Sequence, residues 1–192
     1  MSHVADRFVI VLDANVLYPF RVRDALLRFN EAGLFRARWT DDILDEWERA
    51  VLRDRPGIED SLKSQREAMA EAFEEAWVDG YEALIAAVSL PDPDDRHVLA
   101  AAIRCGAQHI VTENTKDFPV AQLEPYGVEA VSADTVLANT FELYEAEATA
   151  ALRKMRLAYD RPPMSPGKFL QDLTRAGLPK LSLAVRPFID GV

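Results

Sequence analysis

Apolar runs alternate with stretches of helical periodicity along the chain. Residues 8–12 (FVIVL) show no alternation of polar and apolar positions, which indicates a strand buried on both faces, as in a parallel sheet. Residues 107–112 (AQHIVT) have the same character, residues 127–132 (GVEAVS) indicate a weaker strand, and residues 34–39 (LFRARW) can hold a short one. Because helical segments lie between these strands, the pattern predicts βαβ units and a mostly parallel sheet.

Apolar residues at helical spacing fill the intervals between the strands. Thr40 is a predicted N-cap, and two aspartates follow it in the positive first turn of a helix. The segment from Trp77 to Leu90 fits neither pattern, and RPPMSPGK at residues 161–168 is the best linker candidate. The predicted helices span residues 21–32, 41–52, 59–76, 96–105 and 133–156, with two short helices in the tail.

Composition limits the cellular setting and the class of partner. The 22 basic and 32 acidic residues give a net charge of −10, which argues against broad, non-specific binding of nucleic acid. It does not argue against a site where carboxylates hold a divalent metal, since the metal reverses the local charge. The single Cys105 cannot form an internal disulfide, and no apolar run approaches the roughly 20 residues of a membrane span. With no recognisable secretory signal, we expect a cytoplasmic protein without membrane contact.

Polar residues follow two of the predicted strands. Asp13 comes directly after the first strand, and Thr112 and Asn114 end the strand at residues 107–112, with Asp117 one turn later. Parallel α/β sheets bind ligands beyond the carboxyl ends of their strands, so these side chains are candidates for a site. The alternative for Asp13 is a purely structural one, in which it caps the following helical turn.

A second set of carboxylates lies on the helix that follows Thr40. Its apolar stripe places Asp45 on the opposite, solvent-facing side, with Glu46 and Glu48 at the two edges. The helical wheel alone does not choose between the two glutamates. A solvated acidic face is the alternative for the whole segment. The apolar stripe consists of Ile43, Leu44, Trp47, Ala50 and Val51.

The acidic turn PDPDD at residues 91–95 precedes the short apolar helix. Asp94 is the predicted N-cap, and Asp95 falls in the first turn on the face that packs inward. A helix N-terminus stabilises an anion by only about 0.3–1 kcal/mol. Capping therefore explains Asp94 but not Asp92 and Asp95, because clustered acids repel one another unless a cation lies between them.

The segments LDANVL, PDPDDRHVLAAAIRCGA and HIVTENTKDFP, in this order, resemble the PIN domain family of metal-dependent ribonucleases. The resemblance covers about residues 8–140 and is closest to the VapC-type toxins of bacterial toxin–antitoxin pairs. It implies a three-layer α/β/α fold, with a PIN domain at residues 1–145 and a small C-terminal helical extension at residues 146–192. No CxxC, P-loop or glycine-rich dinucleotide motif offers a competing function.

The resemblance assigns Asp13, Glu46 and Asp95 as catalytic residues and metal ligands, which selects Glu46 over Glu48. It implies Mg²⁺ or Mn²⁺ as the cofactor, because such hard cations prefer oxygen ligands. The metal would polarise a phosphodiester and lower the pKa of the attacking water.

The fourth acidic position of the family is often occupied by a carboxylate, whereas Asn114 stands there in this chain. Asp117 can take its place as a metal ligand, a water held by Asn114 is another possibility, and Asp92 is a third. Asn15 and Thr112 are the predicted supporting polar residues. This departure keeps open a degenerate PIN domain that binds RNA or protein without cutting it.

The resemblance also implies an RNA substrate and a cognate antitoxin, and we expect a homodimer because the predicted helices are moderately apolar. Basic residues near the predicted site are the candidates for RNA binding, although each can simply be an exposed helix charge. An exposed acidic turn in a chain of net charge −10 suits a basic antitoxin segment. The candidate RNA-binding residues are Arg21, Arg23, Arg96 and Lys116.

Overall fold

Four parallel strands form the sheet of the computed structural model, which describes residues 8–192. The strand order is β2-β1-β3-β4, and Ile10 of the central strand pairs with Ala37 on one side and His109 on the other. Every residue of the first strand is buried, as its uninterrupted apolar run predicts. The first seven residues of the predicted PIN domain lie outside the described range. The strands are β1 (Val9–Leu12), β2 (Arg36–Arg38), β3 (His109–Val111) and β4 (Glu129–Val131).

Helices make up most of residues 8–192. The segment left unassigned between Trp77 and Leu90 contains a short helix, and Trp77 extends the sheet through one parallel bridge to Trp39. Short 3₁₀ turns include Pro93–Asp95 and Thr115–Asp117. The α-helices are α1 (Ala14–Leu17), α2 (Phe20–Glu31), α3 (Asp41–Asp54), α4 (Glu59–Ala72), α5 (Glu82–Ile85), α6 (Arg96–Cys105), α7 (Val120–Leu123), α8 (Ala133–Leu143), α9 (Glu145–Ala158), α10 (Pro166–Arg175) and α11 (Pro179–Val185).

The connections between strands produce three layers. α2 links β1 to β2, whereas the chain from β2 to β3 returns across β1 and ends with α6 packed on β1 and β3. Since these connections run in opposite directions, right-handed crossovers put α2 and α6 on opposite faces of the sheet. α8 and α9 pack with α2. The predicted α/β fold with a mostly parallel sheet is therefore confirmed, and its topological switch point lies between β1 and β3.

Two local predictions are wrong. The helix expected at residues 133–156 is broken at Tyr144, whose φ of −138° and ψ of 53° are not helical. The break lets α9 turn back against α2 and α8, which a straight helix could not do. The predicted N-cap Asp94 is also incorrect, because the carboxylate of Asp92 accepts the hydrogen bond from the Asp94 amide at 2.9 Å.

The C-terminal helices share the hydrophobic core of the sheet. Phe169 and Leu181 are fully buried in the cluster that also contains the β1 side chains. The buried carboxylate of Asp134 on α8 accepts hydrogen bonds from the backbone amides of Lys180 (2.9 Å) and Leu181 (3.0 Å), which fixes the start of α11. Within residues 8–192, no helix has both the length and the apolar character needed to cross a bilayer.

Candidate active site

A closed hydrogen-bond triangle fixes the first predicted acid at the switch point. Asn15 Nδ2 donates to Asp13 Oδ2 (2.6 Å) and to Thr112 Oγ1 (2.8 Å), and the Thr112 hydroxyl donates to Asp13 Oδ2 (2.7 Å). The Asp13 amide binds the Val111 carbonyl at 3.1 Å, and Asn15 Oδ1 accepts from the Glu113 amide at 3.0 Å. These contacts join the carboxyl ends of β1 and β3 through side chains.

Asp13 does not serve as a helix cap. It occupies the N-cap position of α1, but its side chain makes no capping hydrogen bond there. Burial is the main reason that the pKa of Asp13 lies above the ordinary 3.8, and it outweighs the hydrogen bond from Thr112, which lowers the pKa. The negative charge of Glu46 adds a smaller increase. The buried carboxylate therefore lies where a cation would stabilise its charged form.

The structure separates the two glutamates of α3. Glu46 Oε1 lies 3.1 Å from His97 Nε2 on α6, whereas Glu48 turns to Arg66 of α4 at 3.3 Å. Burial opposes protonation of His97, but the hydrogen bond and charge of Glu46 outweigh it and raise the pKa of His97. The His97 Nδ1 atom is buried without a hydrogen-bond partner in the described part of the chain. The pair ties α3 to α6, so it fixes the position of Glu46.

Asp95 is half-buried at the start of α6. Burial raises its pKa to about 6, and the negative charges of Asp13, Asp92, Asp117 and Glu46 act in the same direction. These carboxylates thus lie close enough to Asp95 to affect its charge, although they come from four separate segments of the chain.

Asp13, Glu46 and Asp95 line one open cavity of about 450 Å³, here called the acid cavity. Its wall contains four carboxylates and one guanidinium, so its formal charge is negative. Such a surface repels a phosphodiester unless a cation is bound. The charged and aromatic side chains of the wall are Asp13, Tyr18, Glu46, Arg53, Asp54 and Asp95.

The candidates for the fourth acidic position lie outside this wall. Asp117 accepts a short hydrogen bond from Asn114 Nδ2, and the Asn114 amide donates to Thr112 Oγ1 at 3.0 Å. Asp92 caps the turn before α6. Both carboxylates nevertheless contribute to the raised pKa of Asp95, so they border the site without lining the acid cavity.

The four predicted RNA-binding residues are in different environments. Arg23 is only 8% exposed, and it donates to the Leu17 carbonyl and to Gln65 Oε1 at 2.7 Å each. This burial does not support the RNA contact expected of Arg23. Arg21 is tied to Asp172 of the C-terminal extension at 2.6 Å.

The other two predicted RNA-binding residues lie beside the acidic segments. Arg96 follows Asp95 directly and has a buried Nε atom without a hydrogen-bond partner in the described chain. Lys116 is exposed in the 3₁₀ turn beside Asp117. Neither side chain lines the acid cavity.

Sequence patterns did not single out several residues of the acid cavity. Arg53 and Asp54 follow Glu46 by seven and eight positions on α3, and Tyr18 Oη donates to Asp54 Oδ2 at 2.6 Å. Residues at these spacings share one face of a helix. A helical wheel centred on Glu46 instead of the apolar stripe would have found both α3 residues. His97 had no such signal, because its partner lies 51 residues away.

The donors of the acid cavity fit a hard divalent cation, since they are carboxylate oxygens on separate elements. In residues 8–192, no three His, Cys, Asp or Glu side chains are grouped closely enough to hold a metal ion directly. Mg²⁺ usually keeps several waters and binds through one or two carboxylates. Separated carboxylates around one cavity therefore suit a hydrated ion better than a fully dehydrated one.

Comparisons with known proteins agree with the fold and with its C-terminal addition. A family model described as the PIN domain matches residues 9–116, and one described as the VapC50 C-terminal domain matches residues 133–187. A protein of Mycobacterium tuberculosis (strain ATCC 25618 / H37Rv) named "Putative ribonuclease VapC50" is 43% identical over 98 residues.

That match covers 51% of this chain and 57% of the mycobacterial protein, so it spans little more than half the length of the relative. No solved structure matches the chain significantly. The PIN domain match alone spans more than half of the chain and includes the strands that carry Asp13 and Thr112. The chain therefore belongs to the PIN domain family, and its C-terminal part is similar to the VapC50 C-terminal domain.

Proposed function

We propose that the protein is a Mg²⁺- or Mn²⁺-dependent endoribonuclease that hydrolyses RNA phosphodiesters. The observation that carries this proposal is the acid cavity, which Asp13, Glu46 and Asp95 line beside the topological switch point of a PIN domain. The ribonuclease name of the mycobacterial relative supports the same reaction class.

Asp13, Glu46 and Asp95 would hold the metal, with Asp117 as the candidate for a further position. When bound, the ion supplies positive charge to the phosphodiester and promotes ionisation of the attacking water. The protein's own contribution is orientation. Asn15 and Thr112 fix one oxygen of Asp13. His97 on α6 binds Glu46 and fixes its position, as residues that hydrogen-bond to metal ligands commonly do.

The test compares RNA cleavage by the wild type, Asp13→Asn and Asp45→Asn, the last being an exposed acid of α3 outside the acid cavity. We expect Asp13→Asn to lose activity by at least about 100-fold, in the range that positioned catalytic groups provide. Asp45→Asn should cleave like the wild type.

Metal dependence has an independent readout. EDTA should abolish cleavage, and millimolar Mg²⁺ should restore it and raise the melting temperature of the wild type but not of Asp13→Asn. Full activity in EDTA, or equal activity of wild type and Asp13→Asn, contradicts the proposal.

We further propose a cytoplasmic toxin that is held inactive by a cognate antitoxin and acts as a homodimer. The negative wall of the acid cavity supports a basic inhibitory segment, whose cation would take the place of the metal. Sequencing the neighbouring DNA for a small reading frame, followed by co-expression of that frame with the protein, tests this. We expect a co-purified complex and relief of growth inhibition, and size measurements of the free protein test the dimer.

A non-catalytic PIN domain is the second candidate. The observation that favours it is Asn114, whose amide binds Asp117 instead of leaving two carboxylates at that position. In that case the wild type and Asp13→Asn would bind RNA or a protein partner equally, and neither would cut.

A further inference from the structure

A second concave surface lies at the start of the C-terminal extension. It has a volume of about 340 Å³ and is here called the basic cleft. It combines residues of α2, the end of α9, the linker and the first turn of α10. Its side chains are Arg21, Tyr159, Asp160, Arg161, Met164 and Lys168, with Ala158 and Pro162 beside them.

The sign of its charge distinguishes the basic cleft from the rest of the surface. It contains three cationic side chains and one carboxylate in a chain of net charge −10. Four other concave surfaces among residues 8–192, including the acid cavity, are lined by residues whose formal charges sum to zero or to a negative value. A local positive surface on an acidic protein concentrates an anionic partner at that point.

Two of the three cations are available to a partner. Arg21 is paired with Asp172 at 2.6 Å, and its guanidinium lies 3.7 Å from the centre of the Tyr159 ring. It therefore lines the basic cleft but is already engaged by neighbouring side chains. Arg161 has a 92% exposed side chain and only a 4.0 Å contact with Asp160, and no carboxylate in residues 8–192 pairs with exposed Lys168. The N-terminus of the ten-residue α10 borders the same cleft and adds its positive dipole end.

A short segment connects the basic cleft with the acid cavity. Tyr18 lines the acid cavity, Arg21 lines the basic cleft, and Phe20 between them is 54% exposed. The Cα atoms of Tyr18 and Arg21 can be at most about 10 Å apart, given the reach of three residues. An exposed ring beside a basic groove is the arrangement that single-stranded nucleic acid uses, since bases stack on the ring and phosphates follow the cations.

We propose that the basic cleft of the C-terminal extension binds the backbone of the RNA a few nucleotides from the bond that is cut, with a base stacked on Phe20. The proposal rests on the proposed ribonuclease function. It assigns the extension a task in substrate binding, and it makes RNA length a determinant of affinity.

The test replaces the two available cations by acids in Arg161→Glu/Lys168→Glu. The matched control is Arg153→Glu/Lys154→Glu, which introduces the same charge change at exposed positions of α9 outside the basic cleft. Each protein is assayed with single-stranded RNAs of about 3 and about 20 nucleotides, lengths that bracket the roughly 4–16 nucleotides of common single-strand sites. Cleavage and, in an Asp13→Asn background, equilibrium binding are measured.

We expect the cleft variant to weaken binding of the long RNA at least tenfold and to reduce its salt dependence by about 1.4 in log–log slope, since two phosphate contacts are lost. Cleavage of the short RNA should change less than twofold. Phe20→Ala should also weaken binding of the long RNA and leave cleavage of the short RNA unchanged. Phe20→Tyr keeps an aromatic ring and should therefore bind the long RNA like the wild type.

Three outcomes overturn the inference. One is binding of the long RNA that changes no more in the cleft variant than in the control. The second is an equal loss for both RNA lengths, which would indicate general charge repulsion. The third is unchanged RNA affinity with loss of an acidic protein partner. If the wild type cuts neither RNA, the ribonuclease proposal fails, while the binding measurements still decide whether the basic cleft holds RNA.

Discussion

The acid cavity and the basic cleft differ in how their charged groups are held. Asp13 is 5% exposed at the end of a buried strand, and two side chains fix its Oδ2 atom. Arg161 of the basic cleft is almost fully exposed and has one weak contact. Chemistry on a phosphodiester needs groups fixed to within a fraction of an ångström, whereas backbone binding tolerates mobile cations. The difference in how the two surfaces hold their charged groups matches the two proposed tasks.

The regions that carry the two surfaces nevertheless share one hydrophobic core. Phe169 of α10 and Leu12 of β1 belong to the same buried cluster, and Asp134 caps α11 from α8. Residues on both sides of the predicted boundary at residue 145 therefore share one core, and the basic cleft takes Arg21 from one side and Lys168 from the other.

The largest effect should come from Phe169→Ala. Phe169 is fully buried, and removing such a side chain costs about 3–5 kcal/mol. Because the extension shares the core of the sheet, we expect urea unfolding to remain a single transition at a lower midpoint. Leu183→Ala, at a 64% exposed position of α11, is the control and should change stability by less than about 0.5 kcal/mol. Two separate transitions would show that the extension unfolds independently.

Arg23→Met should give the next largest effect. The methionine keeps most of the volume beside Trp47 but leaves the Leu17 carbonyl and the Gln65 side chain without their donor. Leaving the buried Leu17 carbonyl without a partner costs about 1–3 kcal/mol, so stability should fall while RNA affinity per folded molecule stays constant. Arg53→Met, whose arginine side chain is 78% exposed, should leave stability unchanged. A stable Arg23→Met protein with weakened RNA binding would instead favour RNA contact by Arg23.

These residues show which parts of the structure could be predicted from the sequence. β1 and Asp13 are evident because an uninterrupted apolar run ends at a carboxylate, and strand ends of parallel sheets meet at one edge. Glu46 needed the family resemblance, since the feature that distinguishes it from Glu48 is its partner. His97 is 51 residues away from Glu46, and Arg66 is 18 residues away from Glu48. Contacts at that distance leave no periodic signal.

The failed local predictions have the same origin. The break at Tyr144 places α9 against α2, and the burial of Arg23 depends on Trp47 and Gln65 from two later helices. Helical periodicity describes one element at a time, so it cannot show where a helix must turn back or which arginine a neighbouring helix will cover. The basic cleft was missed for this reason, because α2 and α10 form it together.

Asp95→Asn should change the pH dependence of the folding stability of the metal-free protein, with a smaller effect than Phe169→Ala or Arg23→Met. The pKa of Asp95 is raised to about 6, so the folded protein keeps a proton that the unfolded chain releases above its pKa of about 3.8. The stability from this group is present at acid pH and is lost as pH rises through about 6. In EDTA, the stability of the wild type relative to Asp95→Asn should therefore fall between pH 4 and 6, as urea midpoints can measure. Parallel pH profiles would contradict the raised pKa, and Mg²⁺ should reduce the difference at pH 7.

The smallest effect should come from Arg53→Ala. This variant distinguishes the role of the acid cavity from that of the basic cleft most directly. Arg53 is the one guanidinium in the wall of the acid cavity, and its side chain is 78% exposed with only a 3.8 Å contact to Asp54. An RNA phosphate at the cavity mouth would gain a charge-assisted contact, so KM should rise about threefold to tenfold, or about 0.7–1.4 kcal/mol, with kcat nearly constant. Arg49→Ala, whose arginine bonds back to the Asp45 carbonyl on the same helix, should leave KM unchanged. Because Arg53 lines the proposed cleavage site, its loss should affect short and long RNAs equally, whereas changes in the basic cleft should affect only the long RNA. An Arg53→Ala effect confined to the long RNA would mean that the acid cavity and the basic cleft act as one extended binding surface.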